Sequence, residues 1–387
     1  MKDTKNILIL GGYGRVGLEM AKLLLRHSRH NICLAGRDLT KASRAARELN
    51  SIHFGERVSG VEVNAALKKQ LTGLLTNYDL VIVYIPFTAF GGQIAQAAFD
   101  ARIDYIDLTT NDKKRQRLRE LDKSILEAGL TFITEAGFVP GAPSLMARYV
   151  AAHFDSVTDI TIGGLFKEEK MSYRSLIDLI PALGDNPETF HGGSWQKAGL
   201  TMSRKIDFDK KHGIRQCYPM DLAELRDLPD KLGCRELGFY SSGVNWFVDL
   251  TVLTWKALRL YKPRWGVELG ARLITWGSDK FTRPSFTCSV NVTVNGIING
   301  RSEKLKLTLQ HKDPYRAAAI ATVPGVMGLL DGSIKQPGVH MMGHLLDPER
   351  YMENLWDMEM KVSLQGLPDT WHEEYRANEI RLVDQVA

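Results

Sequence analysis

Near the start of the chain, Gly11-Gly12-Tyr13-Gly14-Arg15-Val16-Gly17 carries glycines at phosphate-binding spacing. Gly12, Gly14 and Gly17 satisfy G-x-G-x-x-G, while Gly11, Gly14 and Gly17 satisfy G-x-x-G-x-x-G, so spacing leaves two registers open. The chemistry implied is anion binding by the backbone. One glycine permits a tight turn, one lets the main chain approach a diphosphate, and one lets a helix pack on its strand. The helix start then offers unpaired N–H groups and a partial positive charge. Farther on, Leu34-Ala35-Gly36-Arg37-Asp38 places a guanidinium where an NAD site has an acid for the ribose hydroxyls. Arg37 suits a 2′-phosphate, a charge-assisted contact worth about 1.5–3 kcal/mol. Lys41 and Arg44 add positive charge behind it, whereas Asp38 would reach the ribose after a one-residue shift. The expectation is NADP(H) in preference to NAD(H).

Proton chemistry has fewer candidates. Tyr84 ends the apolar run Leu80-Val81-Ile82-Val83 and is placed to donate a proton or orient a substrate, the plainer reading being a partly buried tyrosine. His191, in His191-Gly192-Gly193-Ser194-Trp195, is an acid–base candidate on a glycine-rich loop or simply part of a turn. Lys167, Lys170 and Arg174 are candidates for receiving a substrate carboxylate, or are surface cations. His340 and His344 have i, i+4 spacing, but Gly338 and Gly343 weaken a regular helix there, and no metal site is expected.

The elements that would position these residues alternate in period. Short apolar runs at Ile7–Leu10, Ile32–Ala35, 61–63, 80–84, 105–107 and 131–134 read as buried parallel strands. Between them Val16, Met20, Leu23 and Leu24, then Ile94, Ala97, Ala98 and Ala101, then Leu118, Leu121 and Ile125 recur at helical spacing. This is an α/β pattern, a doubly wound parallel sheet of the Rossmann type over residues 1–140. From 141 to 323 the pattern turns α+β with a mixed or antiparallel sheet, including a hairpin of 287–294 and 304–310 around Asn299-Gly300. Residues 324–387 form a C-terminal segment that is expected to return to the first domain.

The 387 residues carry a net charge of +5, with 44% hydrophobic and 25% charged residues. This balance suits two folded domains, an anionic cofactor and a small carboxylate or amine substrate rather than nucleic acid. The basic run Lys113-Lys114-Arg115-Gln116-Arg117 reads as a solvated helix face. Four scattered cysteines without a CxxC, and no visible secretory segment, read as a reduced cytoplasmic protein. The aromatic window at 244–264 holds too many charges for a spanning helix. It reads as core or as the face of a homodimer, with membrane contact as the rarer reading.

The Gly11–Gly17 loop, Ala35-Gly36-Arg37-Asp38-Leu39, Tyr84-Ile85-Pro86-Phe87, Tyr105-Ile106-Asp107-Leu108-Thr109 and Glu135-Ala136-Gly137-Phe138-Val139-Pro140-Gly141 come in the order seen in the saccharopine dehydrogenase (saccharopine reductase) family, which the chain resembles. Gly332-Ser333-Ile334-Lys335-Gln336-Pro337-Gly338-Val339 resembles that family's C-terminal segment. The resemblance implies an NADP-linked oxidoreductase acting on a C–N bond, an imine or secondary amine. It implies Gly12, Gly14, Arg15 and Val16 at the pyrophosphate and Arg37 at the adenosine phosphate. Ile85, Pro86 and Phe87 would line the nicotinamide, with Thr109 and Gly137 nearby. Val139 stands where family members often carry Asp, which points away from saccharopine itself. The alternative is a non-catalytic NADP(H)-binding protein acting at a partner or membrane surface.

Overall fold

The computed structural model describes residues 4–366 apart from 86–89, 168–170, 172, 182–186, 200–201, 285 and 335. Pro86, Phe87 and Lys170 therefore lie outside the described residues, as does the side chain of Arg174.

The first part alternates strand and helix: β1 (Asn6–Leu10), α1 (Arg15–His27), β2 (Asn31–Gly36), α2 (Leu39–Ile52), β3 (Val58–Glu62), α3 (Lys68–Leu75), β4 (Leu80–Val83), α4 (Gly91–Asp100), β5 (Asp104–Asp107), α5 (Asp112–Glu127), β6 (Thr131–Thr134) and α6 (Ala142–Ala151). Alternate side chains divide between two layers, as a pleated strand requires. Ile7, Ile9, Leu34 and Ile82 face α1 and α2. Leu8, Leu10, Cys33 and Val81 face α3, α4 and α5.

The second part contains β7 (Ser156–Lys167), α7 (Tyr173–Leu179), β8 (Glu188–His191), β9 (Ser194–Lys197), β10 (Arg204–Asp207), β11 (Ile214–Met220), α8 (Leu228–Leu232), β12 (Glu236–Ser242), α9 (Trp246–Ala257), α10 (Arg264–Phe281), β13 (Thr287–Ile298) and β14 (Arg301–His311). The chain then continues through α11 (Pro314–Asp331), β15 (Gly338–Met341), α12 (Met342–Leu345), α13 (Pro348–Trp356) and β16 (Lys361–Gln365).

The first sheet is all parallel, with strand order β15-β6-β5-β4-β1-β2-β3. The direction of winding reverses between β1 and β4, where ligands bind in open α/β sheets. The second sheet is mixed, in the order β10-β11-β12-β7-β13-β14-β16, with β8 also beside β12 and β9 beside β8. Its β13–β14 hairpin turns at Asn299 and Gly300, both at positive φ (50° and 75°), as the Asn-Gly pair anticipates.

Between the sheets lie α6, α11 and α13. Leu145, Ile320 and Tyr351 from these helices share one core with Ile9 of the first sheet and Val292 of the second. The stretch after 324 contributes both to this layer and, through β15 beside β6, to the first sheet. All four cysteines are buried, and none is joined in a disulfide.

Candidate active site

The glycine loop leaves β1 and bends at Gly11, whose φ is +85°. Gly11 and Gly12 donate their N–H groups to the Ala35 carbonyl at 2.9 and 3.2 Å, which ties the bend to β2. A side chain on Gly11 would begin 2.8 Å from the Tyr84 carbonyl oxygen, and one on Gly12 2.8 Å from the Ile9 oxygen and Leu34 Cα. A Cβ on Gly17 would lie 2.5 Å from the Gly11 oxygen. The structure thus uses both glycine registers: Gly11 makes the turn, Gly12 crosses the strand ends and Gly17 lets α1 settle against them. No side chain caps α1. The amides of Arg15, Val16 and Gly17 open the helix and have no preceding helical carbonyl to bond. The cradle that a Cβ would fill, together with this bare helix start, fits a diphosphate.

At the end of β2, Arg37 is exposed and Gly36 is buried. The Tyr13 ring lies over Gly36, 2.4 Å from where a Cβ would stand. Asp38 caps α2, accepting the Lys41 N–H at 3.0 Å, and its other oxygen lies 3.2 Å from Lys41 Nζ. These contacts hold its carboxyl below the usual range, the Lys41 amide contributing most. Asp38 is therefore engaged at the start of α2, and Arg37 beside it is exposed.

Tyr84–Ile85, Thr109 and Glu135–Gly137 follow the C-terminal ends of β4, β5 and β6. Ile85 packs against the α3–α5 layer. The Tyr84 backbone borders Gly11, but its hydroxyl is enclosed without hydrogen-bond geometry to any described residue; Thr322 of α11 is its neighbour. Burial raises its pKa well above the ordinary tyrosine value. Thr109 donates its N–H to Asp107 at 3.0 Å, and its carbonyl accepts Lys114 Nζ. Gly137 bonds the Pro140 carbonyl at 2.9 Å and closes a tight loop into α6.

Beneath these loops sits a polar network that was not anticipated. Lys114 is 1% exposed; its Nζ lies 2.5 Å from Asp107 Oδ1 and 2.7 Å from Thr134 Oγ1. Asp107 also accepts the Tyr105 hydroxyl at 2.5 Å. The basic run on α5 is thus not uniformly solvated. Lys114 falls on the inward stripe with Leu118, Leu121 and Ile125, and only its neighbours Lys113, Gln116 and Arg117 face water. Next to this network Glu135, at φ +55°, pairs with Arg115 at 2.8 Å. Its second oxygen is enclosed and unpartnered among the described residues. Glu224, fully buried, accepts the N–H groups of Gly141 at 2.8 Å and Ser144 at 3.4 Å at the start of α6. Burial pushes its pKa up to about 8; the Gly141 amide opposes this and the charge of Glu135 adds to it.

One end of the second sheet leads, through the start of α11, to the glycine loop. Lys167 of β7 is opposite Thr287 of β13, and Cys288 is opposite His311 of β14. His311 leads into Asp313, which caps α11, and the next residues place the Tyr315 ring 3.7 Å from the Arg15 guanidinium carbon. Lys167 is thus two strand spacings, roughly 10 Å, from β14. Burial and then repulsion from Arg215 and Lys211 lower its pKa, so three cations converge on this end. His191 lies elsewhere. Its hairpin borders β12 where Glu236 faces Asp159, near the other end of β7, and its Nδ1 is 3.2 Å from Glu236 Oε1. Eight strand residues, roughly 26 Å, separate that end from Lys167. His340 and His344 engage different carbonyls, those of Gln336 and Glu224.

Comparison with known proteins gives the same picture. Residues 7–133 match the family model of the saccharopine dehydrogenase NADP binding domain. Carboxynorspermidine synthase of Vibrio cholerae is 25% identical over 391 residues, covering 88% of this chain and 92% of that protein. The saccharopine dehydrogenase [NADP(+), L-glutamate-forming] of Saccharomyces cerevisiae is 28% identical over 201 residues, 51% of this chain and 40% of that protein. The apo structure of the Saccharomyces cerevisiae saccharopine dehydrogenase (L-Glu forming) superposes with a TM-score of 0.72 at 16% identity. It covers 94% of this chain and 100% of that one, a likeness of fold. With the glycine cradle and the strand order, these findings make residues 7–133 similar to the saccharopine dehydrogenase NADP binding domain, and the described fold similar to that of a saccharopine dehydrogenase.

Proposed function

We propose that this protein uses NADPH, in preference to NADH, to reduce a C=N bond formed between an amine and a carbonyl compound, or runs the reverse. The observation that carries this reading is the pairing of an uncapped α1 start with an exposed Arg37 whose neighbour Asp38 is engaged as a cap. Arg15, Val16 and the loop glycines would hold the diphosphate, and Arg37 with Lys41 the 2′-phosphate. Ile85, Thr109 and Gly137 would border the nicotinamide. Lys167, Lys211 and Arg215 would receive a substrate carboxylate, which relieves the repulsion among them.

Bound NADPH would supply a hydride to the carbon of the C=N group. The π electrons then pass to nitrogen, so a protonated imine yields its amine without a further proton donor. The chain's own contribution is orientation and exclusion of water. Neither the enclosed Tyr84 hydroxyl nor the distant His191 is needed for that step.

The test combines cofactor titration with turnover. In Arg37→Glu, NADPH affinity should fall about ten- to hundredfold while NADH affinity changes little. An unchanged NADPH:NADH ratio would remove Arg37 from the phosphate site. Amine and oxo-acid pairs should be screened for NADPH oxidation. Turnover with a carboxylate-bearing pair that weakens in Lys167→Ala through KM supports the substrate class; binding of NADPH with no turnover on any pair sinks the catalytic reading.

A further inference from the structure

Helices α9 and α10 form an antiparallel pair inserted between β12 and β13, at the sheet end that carries Lys167. Trp255 packs on Gly270 and Phe247 on Gly277, which sets their register. Their inner stripe, Val248, Trp255, Val267, Ala271 and Ile274, makes a small core separate from that between the sheets. The outer stripe is equally apolar and uncovered. Trp246 is 64% exposed, Leu250 57%, Leu258 64%, Trp265 60% and Trp276 53%. Trp246 and Trp276 flank Phe247 and Phe281 with ring centroids 5.1–5.7 Å apart, so the exposed rings stand on one surface.

Charge decides what fits this face. Residues 246–284 contain seven Lys and Arg against three Asp and Glu, a net +4 out of the chain's +5. Asp249 is spent on the Val244 N–H at 2.9 Å and Glu268 faces Arg264 at 3.1 Å. Arg259, Lys262, Arg272, Lys280 and Arg283 are exposed around the tryptophans. A second copy docking face to face would bring two such positive rims together. Gly366, the last described residue, lies beside Lys304, toward the opposite end of β14 from His311. Indole rings ringed by Lys and Arg match the interface of a bilayer with anionic headgroups. No helix among the described residues is long and apolar enough to cross a membrane, which suits contact from one side.

We propose that the α9–α10 face binds the surface of anionic lipid bilayers, with Trp246, Trp265 and Trp276 inserted at headgroup depth. The intact chain is mixed with sedimentable vesicles of phosphatidylcholine alone or with 30% phosphatidylglycerol, in 0.1 M and 0.5 M NaCl. Partition into the anionic vesicles should be at least tenfold stronger than into the neutral ones, fall in high salt and shift the tryptophan emission to the blue. Leu250→Glu/Trp265→Glu should lower it at least tenfold, and so should Lys262→Glu/Arg272→Glu, with NADPH affinity retained as the check on folding. No partition of the intact chain into either vesicle overturns the proposal. So does a dimer in light scattering that Leu250→Glu/Trp265→Glu dissociates, which would assign the face to a second copy.

Discussion

Lys114 shows how a single side chain can support a cofactor site without facing it. Its ammonium joins Asp107 at the end of β5, Thr134 at the end of β6 and the Thr109 carbonyl between them. Removing a partner from a buried pair strands the other charge, at about 3–5 kcal/mol. Lys114→Met should lose that much in urea unfolding, and Lys114→Met/Asp107→Asn should regain a good part, since the stranded charge is then gone. A single-variant loss below about 1 kcal/mol would mean that the pair is relaxed by water. The Lys114 position was visible in the helical period, four residues before Leu118. Its charge argued for solvent, and its reach to Asp107 depends on how close β5 and β6 lie. Sequence does not state that distance. The glycines of the loop were legible because backbone approach excludes every other residue type. Asp38 was not, because capping α2 and binding a ribose ask for the same carboxylate.

Among the elements, α6 carries a pH-dependent contact. Glu224 closes its start from another part of the chain, with a pKa near 8 in the fold against an ordinary 4.5. For an acid raised in this way, the folded state keeps a proton that the unfolded state releases. Stability from this group is full below about pH 4.5 and is lost as pH rises toward 8. At about 1.4 kcal/mol per pK unit the upper limit of the loss is a few kcal/mol. Glu224→Gln keeps an acceptor for Gly141 and should flatten the fall in stability between pH 5 and 8. An identical slope in wild type and variant, by denaturant melts across that range, would place the titration elsewhere. The elements best read from sequence were those with undivided apolar runs, β1 and β4 above all, and the long β13–β14 hairpin. The strands Glu188–His191, Ser194–Lys197 and Arg204–Asp207 are four residues each and half polar. The first and last are strands because β12 and β11 offer them edges, and the second because it folds back on the first, causes that lie outside their own composition.

At the scale of the molecule, the two sheets share one hydrophobic layer through α6, α11 and α13. Arg316 of α11 reinforces it by spanning Glu19 of α1 and Glu359, at 2.7 and 2.8 Å. A ligand on the glycine loop should therefore stabilise the far sheet as well. All seven tryptophans lie at position 195 or later, so their fluorescence reports on residues outside the first sheet. With NADPH at a hundred times its Kd, about 2.7 kcal/mol of stabilisation, the tryptophan-reported midpoint should rise by about 3–5 °C. A midpoint that stays fixed while a first-sheet probe shifts would show two parts melting separately.

The strand Gly338–Met341 on the edge of the first sheet carries a consequence for biosynthesis. Thr131 Oγ1 reaches the Gln336 carbonyl across 205 positions of chain, and Gly338 takes its place beside Thr131. While the polypeptide is emerging from the ribosome, the first sheet must wait, with β6 presenting an open ladder of amides and carbonyls, until the 205 positions from Thr131 to Gln336 have been translated. An excised fragment ending near residue 140 would keep that raw edge permanently and would be prone to self-association.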